Sequence, residues 1–134
     1  MRRPASCLFA LLLTATALPA QSTQEVTFAP GNYGTMVTGS ITGQDYADYT
    51  LAARAGQEMF VDLSVTETDG NGSINLNILP PGSDNVALYN GSMEGNTATV
   101  PLPETGVYTI RVYLMGNDED TGRTVAFTLD LSIQ

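Results

Sequence analysis

The sequence predicts an all-β protein, a single antiparallel β-sandwich of about eight strands, on three observations. Apolar residues recur at every second position through most of the chain, turn-forming Gly, Pro and Asn clusters interrupt that alternation at short intervals, and no stretch carries a capped helical stripe. Period two places successive side chains on opposite faces of a strand, so each run reads as a strand with one buried and one wet face.

Taken in order, Val26–Phe28, Met36–Thr42 and Tyr49–Ala52 are short candidates. The run from Met59 to Val65 alternates clearly, with Met59, Val61, Leu63 and Val65 on one face. Ile74, Leu76 and Ile78 alternate with Asn75 and Asn77, and two short candidates follow at Val86–Tyr89 and Thr97–Pro101. Tyr108, Ile110, Val112 and Leu114 share a face, opposite Thr109, Arg111 and Tyr113. Val125, Phe127, Leu129, Leu131 and Ile133 form the last stripe. Between these runs lie Ala29-Pro30-Gly31-Asn32, Ala55-Gly56-Gln57, Asp69-Gly70-Asn71-Gly72, Pro80-Pro81-Gly82-Ser83 and Glu104-Thr105-Gly106. Gly and Asn there supply positive φ, and Pro fixes φ or blocks strand continuation. Several short strands separated by such turns are the signature of a sandwich.

Residues 1–20 read differently. Arg2 and Arg3 precede an apolar run from Cys7 to Leu18, and small residues follow at Ala15-Thr16-Ala17 and Leu18-Pro19-Ala20. This is the layout of a secretory signal peptide, too short for a membrane anchor, with cleavage expected after Ala20 and Ala17 as the second choice. Cys7 stands too early in the run to be a lipoprotein cysteine. Two segments are therefore expected: a cleaved signal peptide at 1–20 and a sandwich domain at 21–134, in a periplasmic or secreted protein.

Composition narrows the function. The 134 residues hold five Arg, no Lys and no His against 14 Asp and Glu. Removing residues 1–20 leaves 114 residues, and with Arg2 and Arg3 gone, Arg54, Arg111 and Arg123 face all 14 acids, a formal charge of −11. Such a balance excludes a nucleic-acid binder, which needs a basic stripe to neutralise phosphates, and disfavours docking on anionic membranes. The mature chain also loses its one Cys, so no disulfide staples it. Without His, Lys or Cys, the ordinary means of activating a Ser or Thr nucleophile are missing. A binding protein is expected, not an enzyme, with no cofactor.

Three segments could carry binding. Asp69-Gly70-Asn71-Gly72-Ser73 has oxygen atoms at alternate positions, as calcium loops do, but Ile74 and Pro80 fall where an EF-hand needs Gly and Glu, so a flexible hairpin turn is the preferred reading. Asn117-Asp118-Glu119-Asp120 gathers three carboxylates beside a strand end and reads as a solvated acidic loop. Asp45-Tyr46-Ala47-Asp48-Tyr49 pairs carboxylates with phenols, without a second acid placed for glycosidase chemistry. Of the tyrosines, Tyr108 belongs with the core stripe. Tyr113 falls on the opposite, solvent-facing side of the same strand, beside the acidic loop, where a Tyr can anchor a partner.

Specific strings carry a resemblance. Gly39-Ser40-Ile41-Thr42-Gly43-Gln44-Asp45-Tyr46-Ala47-Asp48-Tyr49 with Ala55-Gly56-Gln57, and Leu102-Pro103-Glu104-Thr105-Gly106-Val107-Tyr108-Thr109-Ile110-Arg111-Val112, resemble bacterial pre-peptidase C-terminal-type sandwiches. Within that group, Gly43–Tyr49 and Arg111-Val112-Tyr113-Leu114-Met115-Gly116-Asn117-Asp118 look like the periplasmic inhibitors of g-type lysozyme, over about residues 25–134. The resemblance implies a lysozyme as partner, its substrate groove plugged by loops. Carried over residue by residue, it implies contacts from Tyr46 or Tyr49 and from the Asn117-Asp118 loop, to which Tyr113 and Asp120 are added by position. The family pattern is Arg-Asn-Asp-x-Arg, and this chain has Gly116 and Asp120 where the two Arg stand. A second reading therefore stays open, a non-inhibitory extracellular module that binds glycan, calcium or protein.

Overall fold

A computed structural model describes residues 20–134, so the expected signal peptide, apart from Ala20, lies outside the described residues. Nine strands and two one-turn helices follow in the order β1 (Gln21–Glu25), β2 (Gly34–Thr42), β3 (Tyr46–Ala53), β4 (Glu58–Thr68), β5 (Ile74–Leu79), β6 (Tyr89–Asn90), α1 (Gly91–Glu94), β7 (Thr97–Pro101), β8 (Gly106–Leu114), α2 (Gly116–Asp120) and β9 (Thr124–Ile133). They form two sheets, one ordered β1-β3-β8-β5-β6 and the other β2-β9-β4-β7. All pairings are antiparallel except that of β1 with β3.

The alternation seen in the sequence is the core. Tyr108, Ile110, Val112 and Leu114 of β8 are buried, as are Ile74, Leu76 and Ile78 of β5 and Val125, Phe127, Leu129, Leu131 and Ile133 of β9. The two inner faces meet as in any sandwich, each strand contributing every second residue. Tyr49 of β3 and Phe127 of β9 join the sheets edge to face, with ring centroids 6.3 Å apart and an 81° interplanar angle. Gly39 of β2 makes room for both: a Cβ there would lie 2.6 Å from Phe127 Cζ and 2.8 Å from the Tyr49 hydroxyl. At the start of β8 the Tyr108 hydroxyl donates to the Glu104 carbonyl at 2.7 Å and accepts from the Glu104 N–H at 3.0 Å. This is a tyrosine corner, which ties a strand to the turn that feeds it.

Three local expectations are corrected. The first strand is Gln21–Glu25 rather than Val26–Phe28; its side chains are all exposed, and it is held to β3 by backbone pairing and by the Gln21 amide, which bonds Asp48 and Tyr46. The expected strand at Val86–Tyr89 shrinks to the bridge at Tyr89–Asn90, because Ser83 turns the chain by bonding both ways with Val86 and leaves Val86 exposed. The helical turns at α1 and α2 are consistent with the absence of a capped helical stripe, each being too short to show one. Residues 69–73 make a crossover from β4 in one sheet to β5 in the other, not a hairpin turn. Among the described residues, no helix is long and apolar enough to cross a membrane.

Candidate functional site

The outer face of the five-stranded sheet is built around an ion pair. Asp48 of β3 and Arg111 of β8 are direct cross-strand partners. Arg111 Nε and Nη2 donate to the two Asp48 oxygens at 2.8 and 2.9 Å, a two-point contact that fixes the guanidinium plane. The third guanidinium nitrogen donates to the Asp84 carbonyl at 2.9 Å, and Gln21 Nε2 donates to Asp48 at 2.9 Å. The hydrogen bond to Asp48 raises the Arg111 pKa above its ordinary value, against a smaller opposing effect of burial.

Tyr46 and Tyr113 are the next cross-strand pair toward the end of the sheet. The Arg111 guanidinium lies 4.7 Å from the Tyr46 ring centroid, close enough for cation–π attraction. The Tyr46 hydroxyl donates to Gln21 Oε1 at 3.1 Å, and the Tyr113 hydroxyl to Asn77 Oδ1 at 3.1 Å. Both rings are half-buried and held at one edge while the other edge meets solvent. Strand alternation requires this: Tyr46 and Asp48, like Arg111 and Tyr113, are two apart and share the outward face.

Beyond this pair the chain leaves β8 and enters α2. Asp118 is fully buried there, and each of its oxygens accepts from the crossover loop, Oδ1 from the Asn71 N–H and Oδ2 from the Ser73 N–H, both at 2.8 Å. These backbone donors hold the Asp118 pKa below the usual Asp value despite burial. Gly70 has no Cβ because the Asp118 carboxylate occupies that space. The Arg123 N–H donates to the Asp118 carbonyl at 3.0 Å, so the same residue closes its own loop. Asp118 thus latches the 69–73 crossover to the 115–123 segment, which displays Met115, Asn117 and Asp120 to solvent. Gly43, of the β2–β3 turn, packs beside Gly122, so three connections meet at this end of the sandwich.

The expected contact residues divide. Tyr46, Tyr113, Asn117 and Asp120 lie together at one end with surface to offer. Tyr49 and Asp118 do not, and both are corrected. Tyr49 is 4 % exposed because it falls on the inward parity of β3, and burial raises its pKa. Asp118 serves the fold through Asn71 and Ser73. Asp48, Gln21 and Asn77 are the supporting residues that sequence reasoning missed; the signal for Asp48 was its position two residues from Tyr46, and its partner came from strand order, which the sequence does not print. Of the acids of the 45–49 segment, Asp48 bonds Arg111 and Gln21, and Asp45 accepts from the Ala20 N–H at 2.7 Å. What the arrangement offers is a preformed aromatic and polar surface.

No family model matches the sequence. The inhibitor of g-type lysozyme of Escherichia coli (strain K12) is 29 % identical over 126 residues, spanning 92 % of this chain and 90 % of that protein. The crystal structure of Aeromonas hydrophila PliG, a periplasmic lysozyme inhibitor of g-type lysozyme, matches at 33 % identity with a TM-score of 0.77, over 87 % of this chain and 100 % of that one. The pre-peptidase C-terminal domain of a Bacillus anthracis collagenase shares the fold at a TM-score of 0.53 and 15 % identity, over 88 % of this chain and 98 % of that domain. With sheet architecture, length and sequence all in agreement, the chain belongs to the family of periplasmic inhibitors of g-type lysozyme.

Proposed function

We propose that the protein is exported to the periplasm, loses residues 1–20, and inhibits a g-type lysozyme by occluding its substrate groove. The contact surface is Tyr46, Tyr113, Asn117 and Asp120. The observation that carries this reading is the juxtaposition of the Tyr46–Tyr113 pair with the latched 115–123 segment at one end of the sandwich. A surface held rigid before binding loses less conformational entropy on association, and aromatic anchors with a polar tip are typical of tight interfaces.

Charge sets the kind of lysozyme. The body carries −11 without residues 1–20, and α2 presents Asp120 and Gly116 where the family pattern has Arg. A basic groove rim is therefore the complementary surface, and an acidic one is repelled. The site is tested by the turbidity of peptidoglycan suspensions lysed by g-type lysozyme with the wild type, Tyr46→Ala, Tyr113→Ala and Asp120→Ala. Each variant should keep its melting temperature and lose at least about tenfold in inhibitory potency for the anchors, less for the rim acid. Full potency in both tyrosine variants would place the contact elsewhere.

A further inference from the structure

At the end of the sandwich remote from Tyr46 and α2, the two sheets part around a cleft of about 570 Å³. Its wall is formed by Phe28, Ala52, Val107 and Ile133, with Tyr33 and Arg54 also lining it. The volume falls in the range of small-molecule sites, roughly 300–1,000 Å³.

Two features distinguish this cleft from a gap left by packing. The outward face of β8 is polar at Thr109, Arg111 and Tyr113 and turns apolar only at Val107; its cross-strand partner on β3, Ala52, likewise ends a face that begins Tyr46, Asp48, Thr50. Val107 is 55 % exposed and Tyr33 69 %, so the cleft presents aliphatic and aromatic surface to solvent. The second feature is charge. Of the three Arg beyond residue 20, Arg111 is paired with Asp48 and Arg123 lies in the field of Asp118. Neither Arg123 nor Arg54 has a carboxylate within ion-pair distance among the described residues, and of the two Arg54 lines the cleft. The neighbouring polar side chains are occupied in shaping the turn: Gln57 Oε1 accepts from the Arg54 N–H at 2.7 Å and the Thr105 hydroxyl from the Ala55 N–H at 2.9 Å.

We infer that this cleft binds a small amphipathic carboxylate, its hydrocarbon body against Val107, Ala52, Phe28 and Ile133 and its anionic head on the Arg54 guanidinium. A guanidinium matches a carboxylate with two parallel hydrogen bonds, and an apolar wall beside it selects a chain over a bare anion. The site shares no residue with the lysozyme-facing surface, so it stands or falls independently of the inhibitor reading.

The test is calorimetric titration and thermal melting of the mature protein with dodecanoate, dodecanol and acetate, each below its aggregation limit. Dodecanoate should bind one to one and raise the melting temperature, since a ligand that binds only the folded state stabilises it. Acetate should do neither. Arg54→Gln should weaken dodecanoate by at least about tenfold, to the level of dodecanol, and leave dodecanol binding unchanged. Ala52→Trp, which fills the cleft from an exposed position, should abolish binding of both. No saturable binding of dodecanoate, or binding that both variants leave intact, overturns the inference. So does a dimer that buries the cleft and dissociates in Val107→Asp, which would identify a second copy of the chain as its occupant.

Discussion

Asp118 holds a charge where no water reaches it, and it can do so because two backbone N–H groups face its oxygens. A carboxylate so bonded is stabilised in its ionised form. Because its folded pKa is lowered, its contribution to stability is fully present above the unfolded value of about 4 and is lost as pH falls from there through the lowered folded value. Asp118→Asn keeps the shape and loses the charge. It should lower the melting temperature at neutral pH, and the difference from wild type should shrink in melts run below about pH 4. An equal difference at every pH would show that the amide substitutes poorly for reasons of packing alone. Gly39 is a second residue whose identity is dictated by neighbours: Gly39→Ala drives a methyl into Phe127 and the Tyr49 hydroxyl, and should cost about 1–3 kcal/mol in urea unfolding.

At the scale of the elements, β8 carries three devices in sequence: the tyrosine corner at its start, the Asp48–Arg111 pair in its middle and the Tyr46–Tyr113 pair near its end. Tyr108→Phe removes a hydroxyl that both donates to and accepts from Glu104, and should cost about 1–3 kcal/mol in the same unfolding measurement. For the ion pair, Asp48→Asn and Arg111→Met combined should destabilise by less than the sum of their separate losses, with a coupling of about 0.5–3 kcal/mol. Strictly additive losses would mean the pair contributes nothing beyond its separate contacts. The elements legible in the sequence were those whose buried face alternates, β4, β5, β8 and β9. Strand β1 was not, since Gln-Ser-Thr-Gln-Glu has no apolar face and is fixed by backbone pairing with β3. Tyr113 could be found by parity along β8, whereas Tyr46 came from the family resemblance, as an alternative to Tyr49. Their supports could not, because Asp48–Arg111, Tyr113–Asn77 and Asp118–Asn71 all join segments distant in sequence. The same gap explains Tyr49 and Asp118: a motif shared with a family marks residues that matter, without telling surface contacts from buried supports.

For the whole molecule, the sandwich separates its surfaces. One end gathers the β2–β3 turn, the crossover loop and α2; the other holds the apolar cleft; and the acidity is spread over both sheets. A body of −11 should associate with a basic lysozyme at a rate that falls steeply as salt rises from low to physiological concentration, while the dissociation rate changes little. Stopped-flow binding across a salt series checks this. The central claim is tested most directly by the dose dependence of peptidoglycan lysis by g-type lysozyme in the presence of the mature wild-type protein. The account predicts saturable slowing of lysis at micromolar protein or below. Lysis at the full rate across that range would contradict it.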